Sequence, residues 1–519
     1  MLFAAAAFAV LIFFAFTSVS AKRSRAVVDQ ELKNLGSPRL APRLGKVVIC
    51  GGGISGILAA KTCLTHFEQV VLVDPEFSKS LNGMGKGRVM QYHSIHFYLF
   101  LFIKGLCRLW PSFEQKAQEA GWHGQYARQA GLYLDGTYIP SLAEGLAPVV
   151  NLRRCTFETL LGSLLIDDPQ AKTRLVIIEG TVRGMKRSVD GTVISAVYGK
   201  GIDEKDFEVD AIDLLIDCTG RAQSGVRWLE QATFESPRCI IYKPHLRYTT
   251  IQFTGLTEDL FSTLPIPERH RYTPIGFLPD ADISQRGVVF GKMDNGSAHL
   301  AFFSWGSSKL PKKPEDIVPS VTSIGFTNSV PSWFVDMLEI LVEHGSPVIV
   351  PVHLSACNLL EYHGVRDLPA NFIALGDAVM TVNPLLGQGC AKAMSDVLLL
   401  DSMLRLDTSA RSLSSTFSNQ LFKTQAKRNE SLWSVGKYMD YAYPTTEPSS
   451  GETLNNGRFT RWMAKLFVQA SQMDKHVAHV FWLRRHLLAS EAAMVDPSVL
   501  VRAVWANVKR ALGYHASPS

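Results

Sequence analysis

The sequence predicts a mixed α/β fold: a parallel βαβ core, an antiparallel sheet set into it, and a helical C-terminal region. Three observations carry this. A β-branched stretch, Lys46–Ile49, runs into Gly51-Gly52-Gly53-Ile54-Ser55-Gly56 and then into an apolar helical pattern, Ile57–Thr65. Between about 239 and 350 the pattern changes to period-two alternation, as in Cys239–Phe253 and Val288–Trp305. After about 411 the chain reads as helical.

The 519 residues are 46% hydrophobic and 19% charged, ample for a buried core and unlike a disordered chain. Lysine and arginine number 53 against 47 acidic residues, for a net charge of +6. That excess is small and scattered, so no nucleic-acid partner is expected. The eight cysteines stand far apart, without a CxxC pair or a Cys/His cluster of zinc spacing. No metal site is expected, and the thiols read as small buried hydrophobes.

The elements follow in order. Leu2–Ala21 is almost wholly apolar, long enough as a helix to span roughly 30 Å, about one bilayer core. No basic residue precedes it, and Lys22, Arg23 and Arg25 follow at once. This predicts an N-terminal membrane helix over 1–21, single-pass in the endoplasmic reticulum, with the body of the chain facing the cytosol. A cleaved signal peptide is the alternative, since Val19 and Ala21 suit its cleavage site. Residues 22–44 are polar and contain two prolines, the composition of a linker. The core then divides into 45–238 and 351–410, the inserted sheet covers 239–350, and the helical region covers 411–519. Strands are expected at Val70–Val73, Leu175–Ile178, Ala211–Ile216 and Asn371–Leu375, and Asp294-Asn295-Gly296 marks a hairpin turn. Asp496-Pro497 caps a last helix carrying Val499, Leu500, Val504, Val508 and Leu512. Phe481–Leu488 mixes aromatics, leucines and Arg484, Arg485 and His486, which suits either a lipid headgroup interface or packing over the core.

Two motifs carry chemistry. The first is the glycine run, placed between a strand and a helix, with Asp74 at the end of the next strand. This is the Rossmann-type dinucleotide fingerprint. Gly51 permits the tight turn, Gly53 lets a pyrophosphate approach the backbone, and Gly56 lets helix and strand pack closely. The free N–H groups around Ile54 and Ser55 attract phosphate, and Asp74 accepts from ribose hydroxyls. The second is Gly376-Asp377-Ala378 followed by Asn383-Pro384 and Gly387-Gln388-Gly389, again between a strand and a helix. Asp377 suits a ribityl chain. The Gly387–Gly389 backbone can lie against a flavin ring, where the helix dipole favours negative charge. Together the motifs specify FAD.

These motifs resemble those of the group A FAD-dependent monooxygenases, the para-hydroxybenzoate hydroxylase-like fold. Asp217-Cys218-Thr219-Gly220-Arg221 has Thr-Gly where aromatic hydroxylases have Asp-Gly. That departure, with Arg88–His96 and Arg221–Glu230, resembles the squalene-epoxidase-like, isoprenoid-modifying branch. The resemblance covers roughly 45–410. It implies further FAD contacts at Arg154, Val182 and Arg88, the last set against a solvated surface arginine. His93, His96, Asn383 and Pro384 become candidates for the pocket wall, the histidines equally suited to a structural role. No second strand–GxGxxG–helix unit and no CxxxxC is present, which fits NAD(P)H meeting the flavin directly, and no Trp-x-Trp-x-Ile-Pro stretch points to halogenation.

The expected activity is insertion of one oxygen atom from O2 into a lipophilic small molecule, by epoxidation or hydroxylation, as in terpenoid or polyketide biosynthesis. No catalytic base is required beyond the flavin. An FAD-dependent reductase or dehydrogenase of isoprenoid double bonds, geranylgeranyl-reductase-like, is the alternative. A third reading is an FAD-binding partner protein without turnover.

Overall fold

The computed structural model describes residues 25–87, 89–122, 131–140, 147–271, 273–306, 309–354, 356–407 and 412–514. At its centre lies a five-stranded, all-parallel sheet. Its order is Phe372–Ala374, Leu214–Asp217, Leu44–Cys50, Phe67–Val73 and Leu175–Ile178. Val47, Val48, Ile49, Val70 and Leu72 are fully buried. Such near-continuous apolar runs are what a parallel sheet covered on both faces requires. The helix Ile54–His66 packs against this sheet, and Gly389–Leu406 packs on that helix. An antiparallel meander, Gly180–Arg187, Ile194–Gly201 and Asp206–Asp210, adjoins it.

A seven-stranded sheet forms the roof, in the order Val348–Leu354, Leu246–Phe253, Ser297–Trp305, Arg286–Met293, Ile275–Leu278, Gly131–Leu134 and Thr137–Ile139. Its strands show the two-sided pattern of period two. Val288, Leu300 and Phe302 turn to one side and pack on Phe334, Leu338 and Leu341 of the helix Ser332–His344. Val289 and Ala301 turn to the other side and face a cavity. Asn295 and Gly296 take positive φ of 52° and 57° in the hairpin turn, as Asn-Gly allows.

The mixture of parallel and antiparallel sheets with a helical C-terminal region matches the expectation. Several details differ. Residues 25–34, read as linker, are helical, and Glu31 pairs with Arg428 of the helix Phe417–Asp440 at 2.5 Å. Two prolines further on masked this short amphipathic turn. Cys239–Tyr242 belongs to a separate three-stranded sheet with Cys357–Leu360 and Met380–Thr381. The roof also recruits Gly131–Ile139, whose Asp135-Gly136 turn has positive φ at both residues. In the last helix, Pro497–Ala511, the packed residues are Val499, Ala503 and Ala506, while Val504 and Val508 are exposed. Trp482, Leu483, His486 and Leu488 are buried, and the Trp482 indole donates to the Pro140 carbonyl at 2.8 Å.

The expectation of a single-pass membrane protein is corrected. Among the described residues no helix is long and apolar enough to cross a membrane. The segment Leu2–Ala21, on which that expectation rested, lies outside the described residues.

Candidate functional site

One large cavity, about 870 Å³, runs from the glycine turn to the underside of the roof. That is within the range of small-molecule and cofactor sites. It is lined by three segments far apart in sequence: Gly51–Ser55, Cys218–Ala222, and Asp377 with Gly387 and Gly389.

The glycine turn is fixed from both sides. Gly51 has φ +109°, and a Cβ there would meet the Cys218 carbonyl oxygen at 2.3 Å. A Cβ on Gly56 would meet the Gly51 oxygen at 1.8 Å, so helix and strand touch there. Gly53 is different: nothing lies within 4 Å of its Cβ position, and it lines the cavity. Gly53 is the N-cap of the helix, a position that favours glycine, and its lack of a side chain keeps the cavity open there. The first helical N–H groups, from Ile54 on, lack intrahelical partners and open onto the same space. The two motifs abut, since Gly376, at φ +64°, packs on the Ser55 hydroxyl.

Asp74 ends the second strand and lines the cavity. Its carboxylate accepts from the Gly52 N–H at 2.8 Å and from Lys86 Nζ at 3.0 Å. Lys86 also donates to the Gly52 carbonyl at 2.8 Å. It is a buried cation beside the turn, overlooked in the sequence although it stands between Gly85 and Gly87, where chain can approach a ligand closely. Val182 lines the neighbouring wall, on the first strand of the meander. Arg88 lies outside the described residues.

Arg154, first residue of the helix Arg154–Ile166, reaches into the cavity. Burial opposes its charge, but Glu158, paired at 2.5 Å, more than offsets this and holds the guanidinium pKa above its usual range. Tyr92 donates to the other Glu158 oxygen. The start of this helix is tied to the roof. Asp294, in the hairpin turn, accepts from the Arg153 N–H at 2.7 Å, from the Arg153 guanidinium at 2.9 Å and from Thr156 Oγ1 at 2.6 Å. Burial alone would raise the Asp294 pKa, and these donors hold it below the usual carboxylate range.

Asp377 lines the cavity and accepts from Lys392 Nζ at 2.9 Å. Lys392 is fully buried on the helix that starts at Gly389 and also donates to the Met380 carbonyl. It is a second cation missed in the sequence, where it stands within the helix that follows the glycine loop. Pro384 lines the cavity, but Asn383 does not. The Asn383 amide instead donates to Asp440 at 2.7 Å, so its role is to hold the loop. Gln388 is buried beside the loop with its Oε1 lacking a partner. His96 lines the cavity, and burial, then Arg154, push its pKa down to about 3. It is neutral. Its Nδ1–H donates to the Ser94 carbonyl at 3.0 Å, leaving Nε2 as an acceptor. His93 is exposed and is not part of the wall. Asp217 shapes the turn, accepting from the N–H groups of Thr219 and Gly225, each at 2.8 Å.

Asp396, behind the second motif, accepts from the Gly376 N–H at 2.8 Å. Burial, only partly opposed by hydrogen bonds, pushes its pKa up to about 6. A carboxyl whose folded pKa lies above its unfolded value favours the folded state fully below about pH 4, and that contribution is lost as pH rises through 6. Between pH 5 and 7 the protein should therefore lose about 1 kcal/mol that Asp396→Asn does not lose. Urea unfolding of both at the two pH values checks this; parallel losses would rule it out.

No family model matches the chain. It is similar to Protein Rv3254 of Mycobacterium tuberculosis (strain ATCC 25618 / H37Rv), 22% identical over 487 residues that span 89% of this chain and 94% of that protein. Three solved structures share its fold. A flavoprotein/dehydrogenase from Cytophaga hutchinsonii has a TM-score of 0.59 at 12% identity, covering 91% of this chain and all, 100%, of that one. The flavin-dependent brominase Bmp2 has a TM-score of 0.55 at 13% identity, covering 89% and 99%. The tetrameric 2-methyl-3-hydroxypyridine-5-carboxylic acid oxygenase has a TM-score of 0.52 at 12% identity, covering 86% and 98%. This chain has the fold these flavoenzymes share.

Proposed function

We propose that this protein is an FAD-dependent monooxygenase that uses NAD(P)H and O2 to epoxidise or hydroxylate a lipophilic small molecule. The observation that carries the reading is the single cavity into which both glycine motifs open beneath an apolar sheet face. The residues fit FAD. Gly53 leaves space for a pyrophosphate that the helix N–H groups would hold. Asp74 has oxygens for ribose hydroxyls, and Lys86 and Arg154 place positive charge on the wall. Asp377 would meet the ribityl chain. Gly387 and Gly389 carry no side chain to keep a flat ring away, and the positive end of the following helix would favour charge on its pyrimidine edge.

When bound, FAD supplies the redox chemistry, taking two electrons from a nicotinamide and giving one O2 oxygen to substrate and one to water. The chain's own part is to orient and to exclude water. Ile95, Phe97, Val289, Ala301, Val352 and Leu385 make the roof end of the cavity apolar. Neutral His96 adds no charge there. This wall supports a lipophilic substrate, and Thr219-Gly220 with Arg221–Glu230 supports the isoprenoid-modifying branch. The absence of Trp-x-Trp-x-Ile-Pro favours oxygen transfer over halogenation.

The test is turnover of the purified protein with NADPH or NADH, candidate olefins and isotopically labelled O2. Label is expected in the product. Nicotinamide oxidation that proceeds equally without O2, with reduction of the double bond, would replace this reading by the isoprenoid reductase. Arg154→Leu should weaken FAD binding tenfold or more, measured by flavin fluorescence quenching. It should also destabilise the fold by about 3 kcal/mol, because Glu158 is left buried without its cation.

A further inference from the structure

Behind the roof end of the main cavity lies a second, smaller one of about 50 Å³. The two share Phe97, Val289 and Leu385 as walls. Most of the small cavity is apolar, but Asn151 and two polar side chains of the C-terminal helical region, Arg485 and His486, line it. Arg485, last residue of the helix Lys475–Arg485, makes no hydrogen bond and no ion pair among the described residues. Its neighbour Arg484 is the one that pairs with Glu491, at 2.5 Å. Burial, then Arg484, lower the Arg485 pKa to about 10, so it remains a cation at neutral pH.

His486 is buried between the rings of Phe100 and Trp482. The Phe100 N–H donates to its Nδ1 at 3.2 Å, so Nδ1 carries the lone pair. Burial pushes the ring pKa down to about 3. A neutral ring with Nδ1 as acceptor must carry its proton on Nε2, and Nε2 is buried without a partner. The small cavity therefore presents the Arg485 guanidinium, while the His486 ring forms wall with its Nε2 buried. A guanidinium that faces an apolar cavity without a carboxylate partner is stabilised when an acceptor enters beside it. The volume exceeds what one water needs.

We propose that this cavity is the anchoring subsite for a carboxylate at one end of the substrate, gripped by Arg485, with the apolar remainder passing between Phe97, Val289 and Leu385 into the main cavity. The substrate class is then a lipophilic acid. This rests on the monooxygenase reading for its main cavity, but the grip itself is a binding property. Arg–carboxylate pairing is the geometry to which a guanidinium is suited, and an acid is told from its neutral analogue because the latter leaves the cation unpaired.

Isothermal titration of the full chain with decanoate and 2-naphthoate, each against its primary amide, tests the grip without turnover. At least one acid should bind tenfold or more tighter than its amide. Arg485→Met should erase that preference and leave amide binding unchanged, and Arg485→Lys should keep part of it. If the Met variant does not fold, Val289→Phe, which closes the passage from the roof strand, should weaken binding of both the acid and its amide. Equal binding of acids and amides by the unmodified chain, or a preference that survives Arg485→Met, overturns the proposal. Flavin content, read separately from the visible spectrum, reports on the monooxygenase reading: a preference for acids in a protein that takes up no FAD would sink that reading and leave the grip standing.

Discussion

Gly53→Val should abolish FAD binding while leaving the fold intact. Gly53 has φ −79° and ψ −170°, a conformation open to any residue. Its Cβ position is free of protein atoms to 4 Å, so unfolding in urea should change by no more than about 0.5 kcal/mol. The added methyls would project into the space assigned to the pyrophosphate. A loss of 100-fold or more in FAD affinity is expected, about 2.7 kcal/mol. Gly56→Val supplies the contrast. Its Cβ meets backbone at 1.8 Å, and that backbone cannot withdraw, because Gly51 is itself pressed against Cys218. Overpacking there should destabilise by at least about 3 kcal/mol. A Gly53→Val protein that purifies with stoichiometric FAD would refute the assignment of the glycine turn.

The second large effect is expected at Asp440, a buried carboxyl outside the cavity. It accepts from Tyr242 at 2.8 Å, from the Trp305 indole at 2.9 Å and from the Asn383 amide at 2.7 Å. These donors come from a strand beside the core, the roof sheet and the loop before Gly387. Asp440→Leu strands all three. At about 1–3 kcal/mol for each of the three buried unmet donors, a loss of about 3–9 kcal/mol is expected in urea unfolding. Release of Asn383 should also loosen the loop that leads to Gly387 and lower FAD affinity. A variant within 1 kcal/mol of the parent would show that the three groups find other partners.

The contrast between Asn383 and Pro384 shows how much was legible in the sequence. The adjacent pair reads as one loop motif, and nothing local says that one side chain faces the cavity and the other a helix some 57 residues on. The parallel core was legible because its strands are continuous apolar runs and its turn demands glycine. The strand Leu175–Ile178 was placed to the residue. The hairpin over Gly131–Ile139 was not, because its strands lack the continuous β-branched run that marks Leu175–Ile178. Lys86 and Lys392 were passed over for a different reason. A buried lysine is recognisable only by the carboxylate it meets, and Asp74 and Asp377 lie 12 and 15 positions away. Arg154 and His96 were found through family likeness, and His93 was carried along with them although its backbone turns it outward.

The parallel sheet has a consequence for how the chain is made. Its strand Leu214–Asp217 is buried along its length and is bordered on one side by Phe372–Ala374. That bordering strand leaves the ribosome only after the whole roof has been synthesised. Until then the half-built sheet carries an apolar edge with unpaired backbone groups, the arrangement on which strands of other chains add. Contacts of such long sequence separation also form slowly. A product truncated at residue 238 should therefore be insoluble rather than a smaller nucleotide-binding protein. Yield of the full chain should depend on chaperones that shield the edge during translation.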